Sequence, residues 1–239
     1  MTVQYDMQHQ IDEMEGRREF LRKAFMATWA NMISGDYAEF GCCNAVTFRL
    51  AHQASRRNSM SPHLWAFDSF QGLPQVGKDE EHPRWIPGTM AMPRGAFVAT
   101  LDYQGVPRSD YTMIEGFYSD TLTEKNTAAA NYCRDIAIAY IDCDMYSSTV
   151  DVLKFLKPRL KHGMIIALDD YYCWWKGGIS GERLAFLEFE REVRDNFNFL
   201  PLYGFGWHGQ SFVVEGRPFL KDFTPHGHFE GSAQDARVA

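Results

Sequence analysis

Two short apolar runs, each closed by a pair of acids, flank an amphipathic segment in the middle of this chain. Ile136–Ile141 leads into Asp142-Cys143-Asp144, and the run at 164–168 leads into Asp169-Asp170. Between them Val150, Val152, Leu153, Leu156 and Leu160 recur at roughly helical spacing. Pro158 stands near the end of that segment, and Gly163 follows a basic last turn, as at a helix C-terminus. Continuous apolar runs on either side of a helix read as parallel strands buried on both faces. Ligands of such sheets bind at the carboxyl ends of the strands, so the acids converge on the binding edge. The 27 residues from Asp142 to Asp169 suffice for one helical crossover. Clustered carboxylates repel one another unless a cation, a proton or a basic ligand joins them, and oxygen donors favour Mg²⁺ or a similar ion. The competing reading leaves the acids in solvated loop tips or helix caps. A pair on each of two linked strands argues against it.

The rest of the chain fits around this unit. Residues 11–33 read as a helix with Ile11, Met14, Phe20, Leu21, Phe25, Trp29 and Met32 as its apolar stripe. Further strands are expected at 37–40, 64–67, 111–114, 199–203 and 211–214. Helical segments are expected at 45–53, 96–101, 122–133 and 181–197. The order is β-α repeated for five strands, then a helix and a hairpin: an α/β, doubly wound, mostly parallel sheet with an antiparallel final strand. The expected organisation is a helical extension at 1–35, the main domain at 36–215 and a tail at 216–239. Residues 71–94, rich in Gly, Pro and charge, read either as a lid or substrate loop or as a disordered segment.

Composition removes several classes. The net charge is −7 with no basic stripe, so no nucleic-acid partner is expected. No apolar run approaches bilayer length, so no membrane partner is expected either. The polar, acidic first residues are unlike a signal peptide, and five cysteines without metal-type spacing suit a reducing, cytoplasmic setting. Cys42 and Cys43 read as core thiols.

The first strand ends in Glu39-Phe40-Gly41, an acid followed by a glycine that lets backbone approach a ligand. Asp68, 29 residues beyond Glu39 and followed by Ser69, is placed to accept ribose hydroxyls. The third strand supplies Gly116 and Phe117 to the same edge. The pyrophosphate fingerprint GxGxxG is missing, which argues against a dinucleotide. Together Glu39, Gly41 and Asp68 suggest a nucleoside-containing cofactor, with Phe40, Ser69, Gly116, Phe117 and Asp142 as the further candidate contacts.

Five segments, GDYAEFG, FDSFQGLP, EGFYSDTL, IDCDMYSST and LDDYYCWW, occur in this order and resemble the macrocin O-methyltransferase family over residues 33–189. The resemblance implies a class I, Rossmann-like, seven-stranded methyltransferase using S-adenosyl-L-methionine and a divalent metal, Mg²⁺ or Mn²⁺. The implied acceptor is a sugar or phenol-like hydroxyl of a small-molecule natural product. It further implies that Asp142, Asp169 and Asp170 bind the ion, that Asp144 is the base, and that Asp68 holds the ribose. Asp142 and Asp144 are thus the expected catalytic pair. Ion polarisation of a hydroxyl and proton removal by a carboxylate fit these residue types. The family usually has two glycines where this chain has Ala45-Val46, and side chains there are expected to narrow the room for the methionine part of the cofactor. A homo-oligomer is expected.

Two other readings compete. Asp142-Cys143-Asp144 is a DxD, as in metal-dependent glycosyltransferases, and a non-catalytic homologue would share the same motifs. His208 reads either as a base or substrate contact or as an exposed turn residue. Tyr172, Trp174 and Trp175 read as an acceptor wall or as packing beneath a loop. His226 and His228 fall in the tail.

Overall fold

A computed structural model describes residues 7–129, 131–174 and 178–217. The strands are β1 (Asp36–Phe40), β2 (Leu64–Asp68), β3 (Tyr111–Glu115), β4 (Ile136–Ile141), β5 (Ile165–Leu168), β6 (Phe197–Phe205) and β7 (Gly209–Gly216). They form one seven-stranded sheet in the order β3-β2-β1-β4-β5-β7-β6. β1 to β5 are parallel, and β7 runs antiparallel to both neighbours, as the sequence order implied. β4 and β5 are buried at every position, which is why they read as unbroken apolar runs.

Helices cover both faces. The helices α1 (Met7–Ala30) and α2 (Val46–Arg57) lie on one side with α3 (Arg94–Tyr103). On the other side α6 (Tyr146–Leu156) packs against α7 (Gly181–Val193). Between β3 and β4 the expected helix over 122–133 is replaced by two single turns, α4 (Tyr118–Thr121) and α5 (Glu124–Thr127). Thr123 caps the second turn by accepting from the Asn126 N–H, and the Asn126 amide donates to the Asp120 carbonyl. Such side-chain bonds compete with a continuing helix.

The long first helix buries Phe20, Leu21, Ala24, Phe25 and Thr28. Ile11, Trp29 and Met32, expected on the same stripe, are exposed. Trp29 is one helical step off the buried Thr28, and Met32 lies past the helix end at φ +56°. Gly16 lets α1 approach the hairpin between β6 and β7: a Cβ there would stand 2.6 Å from the Gly206 nitrogen. All five cysteines are free thiols, and among the described residues no helix is long and apolar enough to cross a membrane.

Register then builds the functional edge. Phe40 pairs with both Phe67 and Ile141, and Ile141 pairs with Leu168. The following residues, Gly41, Asp68, Asp142 and Asp169, therefore form a row at the carboxyl end of the sheet. Backbone bonds extend past the strands to fix that row: Gly41 N–H to Phe67, Asp142 N–H to Phe40, Asp169 N–H to Ile141, and Gly116 N–H to Asp68.

Candidate active site

A cavity of about 680 Å³ opens along this edge. One end is rimmed by Gly41, Asp68, Ser69, Gly116 and Phe117, and the other by Asp142, Asp144, Asp169 and Asp170. Glu39 and Phe40, expected at the cofactor end, do not line it. Successive strand side chains point to opposite faces, which carries both away from the opening. Phe40 lies in the core, stacked on Phe67 at 4.7 Å. Glu39 is buried on the other face, where the Tyr37 hydroxyl donates to its Oε2 at 2.5 Å. Burial pushes the Glu39 carboxyl up to about 8, although Tyr37 and Arg17 pull it down.

Asp68 accepts the Cys42 N–H on Oδ2 and the Phe70 N–H on Oδ1, both at 2.6 Å. A carboxylate has about four acceptor positions, so roughly two remain for a ligand's hydroxyls. Burial raises its pKa, and the two amides oppose the rise. The Ser69 hydroxyl donates to the Gly72 carbonyl and so shapes the turn after β2. Ala45 stands in the left-handed region at φ +54° and is fully buried in the core. Neither Ala45 nor Val46 lines the cavity. The departure from glycine therefore places a left-handed alanine behind the cavity wall, at a cost in backbone strain.

At the acid end, carboxylate oxygens of Asp142, Asp144 and Asp170 lie within 4.8 Å of one another. Asp169, expected in this group, lies outside that radius but lines the same cavity, and it meets Arg17 of α1. Arg17 Nε donates to Asp169 Oδ1 at 3.0 Å, its Nη2 donates to Oδ2, and the Tyr140 hydroxyl donates to Oδ1. Burial would raise the Asp169 pKa, but the Arg17 guanidinium, with help from His208, holds it below the usual carboxylate range. Asp142 and Asp144 move the other way: burial raises both strongly, and repulsion from neighbouring acids adds to it. Asp144 also holds a left-handed φ of +61°.

His208 is buried, not an exposed turn residue. Its Nδ1–H donates to the Asp169 carbonyl, and Nε2 faces Glu13 at 3.4 Å. Burial would lower its pKa, but Glu13, Asp169 and Asp170 raise it to about 9. Trp207 donates to Glu13 at 2.8 Å, so α1 and the hairpin close one wall together. The 71–94 segment forms another wall. Trp85 is buried against Met145 and Cys173, and Glu80 accepts from the Ser147 N–H and hydroxyl at 3.0 Å. Tyr172 is half-buried and Trp174 is exposed. Trp175, His226 and His228 lie outside the described residues.

Arg17, Glu13, Tyr140 and Glu182 had no part in the sequence reading. Glu13 and Arg17 are one helical turn apart, the only local trace of a shared face. Glu182 looked like an ordinary acid in a first helical turn.

Comparison with known proteins gives a consistent picture. A family model described as macrocin-O-methyltransferase (TylF) matches residues 5–197. The chain is 28% identical over 153 residues, 59% of its length, to 8-demethyl-8-(2,3-dimethoxy-alpha-L-rhamnosyl)-tetracenomycin-C 4'-O-methyltransferase of Streptomyces olivaceus. It is 28% identical over 165 residues, 65% of its length, to demethyldecarbamoylnovobiocin O-methyltransferase of Streptomyces niveus. It spans 55% and 60% of the lengths of these two relatives. In fold it resembles the O-methyltransferase NovP, with a TM-score of 0.68 and 22% identity over 83% of this chain and 79% of that one.

Proposed function

The chain belongs to the macrocin O-methyltransferase family, and we propose on that premise that it methylates a hydroxyl of a small-molecule natural product. The methyl donor is S-adenosylmethionine, and the acceptor hydroxyl is sugar or phenol-like. The observation that carries the reading is a single cavity with a glycine-rimmed Asp68 at one end and converging carboxylates at the other. The relatives' names support a natural-product acceptor. A glycosyltransferase reading has only the Asp142-Cys143-Asp144 motif in its favour.

The donor sets fit both groups. Asp68 keeps free acceptor positions for ribose hydroxyls, and Gly41 and Gly116 stand at positive φ beside it. Asp142 and Asp170, with Asp169 on the same cavity wall, offer a hard, all-oxygen set for one Mg²⁺ or Mn²⁺ ion and leave the adjacent Asp144 as the base. When bound, such an ion lowers the pKa of a hydroxyl.

The chain's own residues do the rest. Asp144 takes the acceptor's proton on its carboxylate as the new O–C bond forms and the sulfonium C–S bond breaks. Asp142 and Asp170 keep the acid group together on neighbouring strand ends. Arg17 pairs with Asp169 and offsets part of the repulsion that this fourth acid adds to Asp142 and Asp170. Trp207 and Trp85 line the cavity and offer aromatic surface to the acceptor.

The test pairs binding with turnover. Calorimetry should show S-adenosylhomocysteine binding and no nucleotide-sugar binding. Methyl transfer to a panel of hydroxylated acceptors should stop with chelator and return with Mg²⁺ or Mn²⁺. Asp144→Asn should lower the rate by about 10²–10⁴-fold. Turnover in metal-free protein would refute the ion, and nucleotide-sugar binding would refute the reaction class.

A further inference from the structure

Glu182 is a fully buried carboxylate that the scheme above does not use. It stands in the first turn of α7. Its Oε1 accepts the N–H groups of Cys143 at 2.8 Å and Asp144 at 3.3 Å. Its Oε2 accepts the N–H of Asp170 at 2.9 Å. One side chain thus ties the backbones of both loops that carry the acid group.

The surroundings are built for this reach. Gly181 brings the start of α7 against the start of α6: a Cβ there would stand 2.5 Å from the Tyr146 nitrogen. Ser180 caps α7 by accepting from the Arg183 N–H at 3.1 Å, which fixes the turn that carries Glu182. Asp144 must be held at a left-handed φ of +61°, and its N–H is one of the three bound. Negative charge at two helix N-termini is favourable. Near Asp142, Asp144 and Asp170 it is repelled. A group kept there against such repulsion has its amide bonds as the compensating gain.

We propose that Glu182 is a positioning residue for methyl transfer: by binding the Cys143, Asp144 and Asp170 amides it sets the spacing of the Asp144 and Asp170 carboxylates. This rests on the ion-assisted reading of the cavity. Its action is through the two loops, not through contact with acceptor or cofactor. The spacing it sets decides how tightly a divalent ion is held and how Asp144 meets the acceptor.

The experiment uses the full chain with Glu182→Gln and Glu182→Ala. Glutamine keeps the shape and one carbonyl acceptor, but its amide donors face an N–H on the other side. Four measurements are compared: amide hydrogen exchange in peptides covering residues 141–146 and 168–173, Mn²⁺ titration by electron paramagnetic resonance, S-adenosylhomocysteine calorimetry, and steady-state kinetics. Exchange should rise in these two segments and not across the sheet. Mn²⁺ affinity should fall by about 10–100-fold in Glu182→Ala and less in Glu182→Gln, as for other residues that support ligands. kcat should fall more than the acceptor KM changes. S-adenosylhomocysteine affinity should hold, because Asp68 and Gly41 lie on other strands. A folded Glu182→Gln with unchanged exchange and unchanged kcat overturns the proposal. An equal loss of Mn²⁺ and S-adenosylhomocysteine affinity overturns it too, since that is general unfolding. If Glu182→Ala does not fold, the shape-preserving Glu182→Gln decides. Wild-type protein that binds no Mn²⁺ would defeat the ion reading instead, and exchange with kcat would then decide for Glu182 by themselves.

Discussion

Arg17 and Asp169 lie 152 residues apart and meet as a guanidinium fork on a carboxylate, with the Asp169 side chain 2% exposed and that of Arg17 21% exposed. The pair joins the first helix to the end of β5, and the Tyr140 hydroxyl shares the same oxygen as Arg17 Nε. Losing one partner of a buried pair leaves the other as an uncompensated charge.

Arg17→Ala should therefore destabilise the fold by about 3 kcal/mol near neutral pH, the low end for a broken buried pair because Arg17 keeps some exposure. Asp169 is held below its ordinary pKa, so its contribution is present above about 3.8 and lost as pH falls through the folded value. The difference between wild type and variant should accordingly shrink in acid. Urea unfolding at neutral pH and at points from pH 4 down to about 2 measures it; a gap that stays constant over that whole range would show that Arg17 acts by packing alone.

Glu39 titrates with the opposite sign. Its folded pKa is raised from 4.5 to about 8, so the stability it contributes is full below about 4.5 and is lost as pH rises through 8. Glu39→Gln, which still accepts from Tyr37, removes that slope. Between pH 5 and pH 8.5 the stability difference should move in the variant's favour by a few kcal/mol, at about 1.4 kcal/mol per pH unit. Parallel stability curves for the two proteins would contradict it.

Asp68→Ala should weaken S-adenosylhomocysteine binding about tenfold or more, the worth of a hydrogen bond to a charged group. It should also lower stability by about 1–3 kcal/mol, because the Cys42 and Phe70 amides lose their acceptor. Calorimetry and thermal melting together read both effects. Loss of stability with unchanged affinity would make Asp68 a turn residue only.

Ala45→Gly relieves a left-handed alanine, worth about 1–2 kcal/mol. Against that stand a freer unfolded chain, at about 0.4–1 kcal/mol, and a lost buried methyl. The net change in stability should stay within about 1 kcal/mol, and S-adenosylhomocysteine affinity should not move. A large gain in affinity would mean that the alanine does crowd the cofactor.

The parts that could be read in advance were those whose cause is local. Ile136–Ile141 is a strand because both its faces are buried, and that alone makes the run continuous. Asp68 and Gly41 could be placed because a parallel strand end positions its next residue whatever packs on the sheet. All four acids expected at that edge line the cavity, but which of them an arginine would pair with could not be read. Asp169 and Asp170 are neighbours in sequence, yet Arg17 and Tyr140 claim one while Asp142 and Asp144 approach the other. Only long-range packing decides this. Glu182 was hidden for the same reason, since its partners are backbone amides, which no sequence pattern marks. The helix expected at 122–133 failed for a local cause, the cap at Thr123.

The strand order has a consequence for how this chain is made. β6 leaves the ribosome before β7, yet β7 is the strand that pairs with β5. Until residues 209–216 have been synthesised, the growing polypeptide can assemble β1 to β5 but leaves the outer edge of β5 open. An open edge beside a half-built acidic pocket is a template for pairing with other chains. Translation arrested between β6 and β7 would therefore yield an association-prone nascent species, one strand away from the closed sheet.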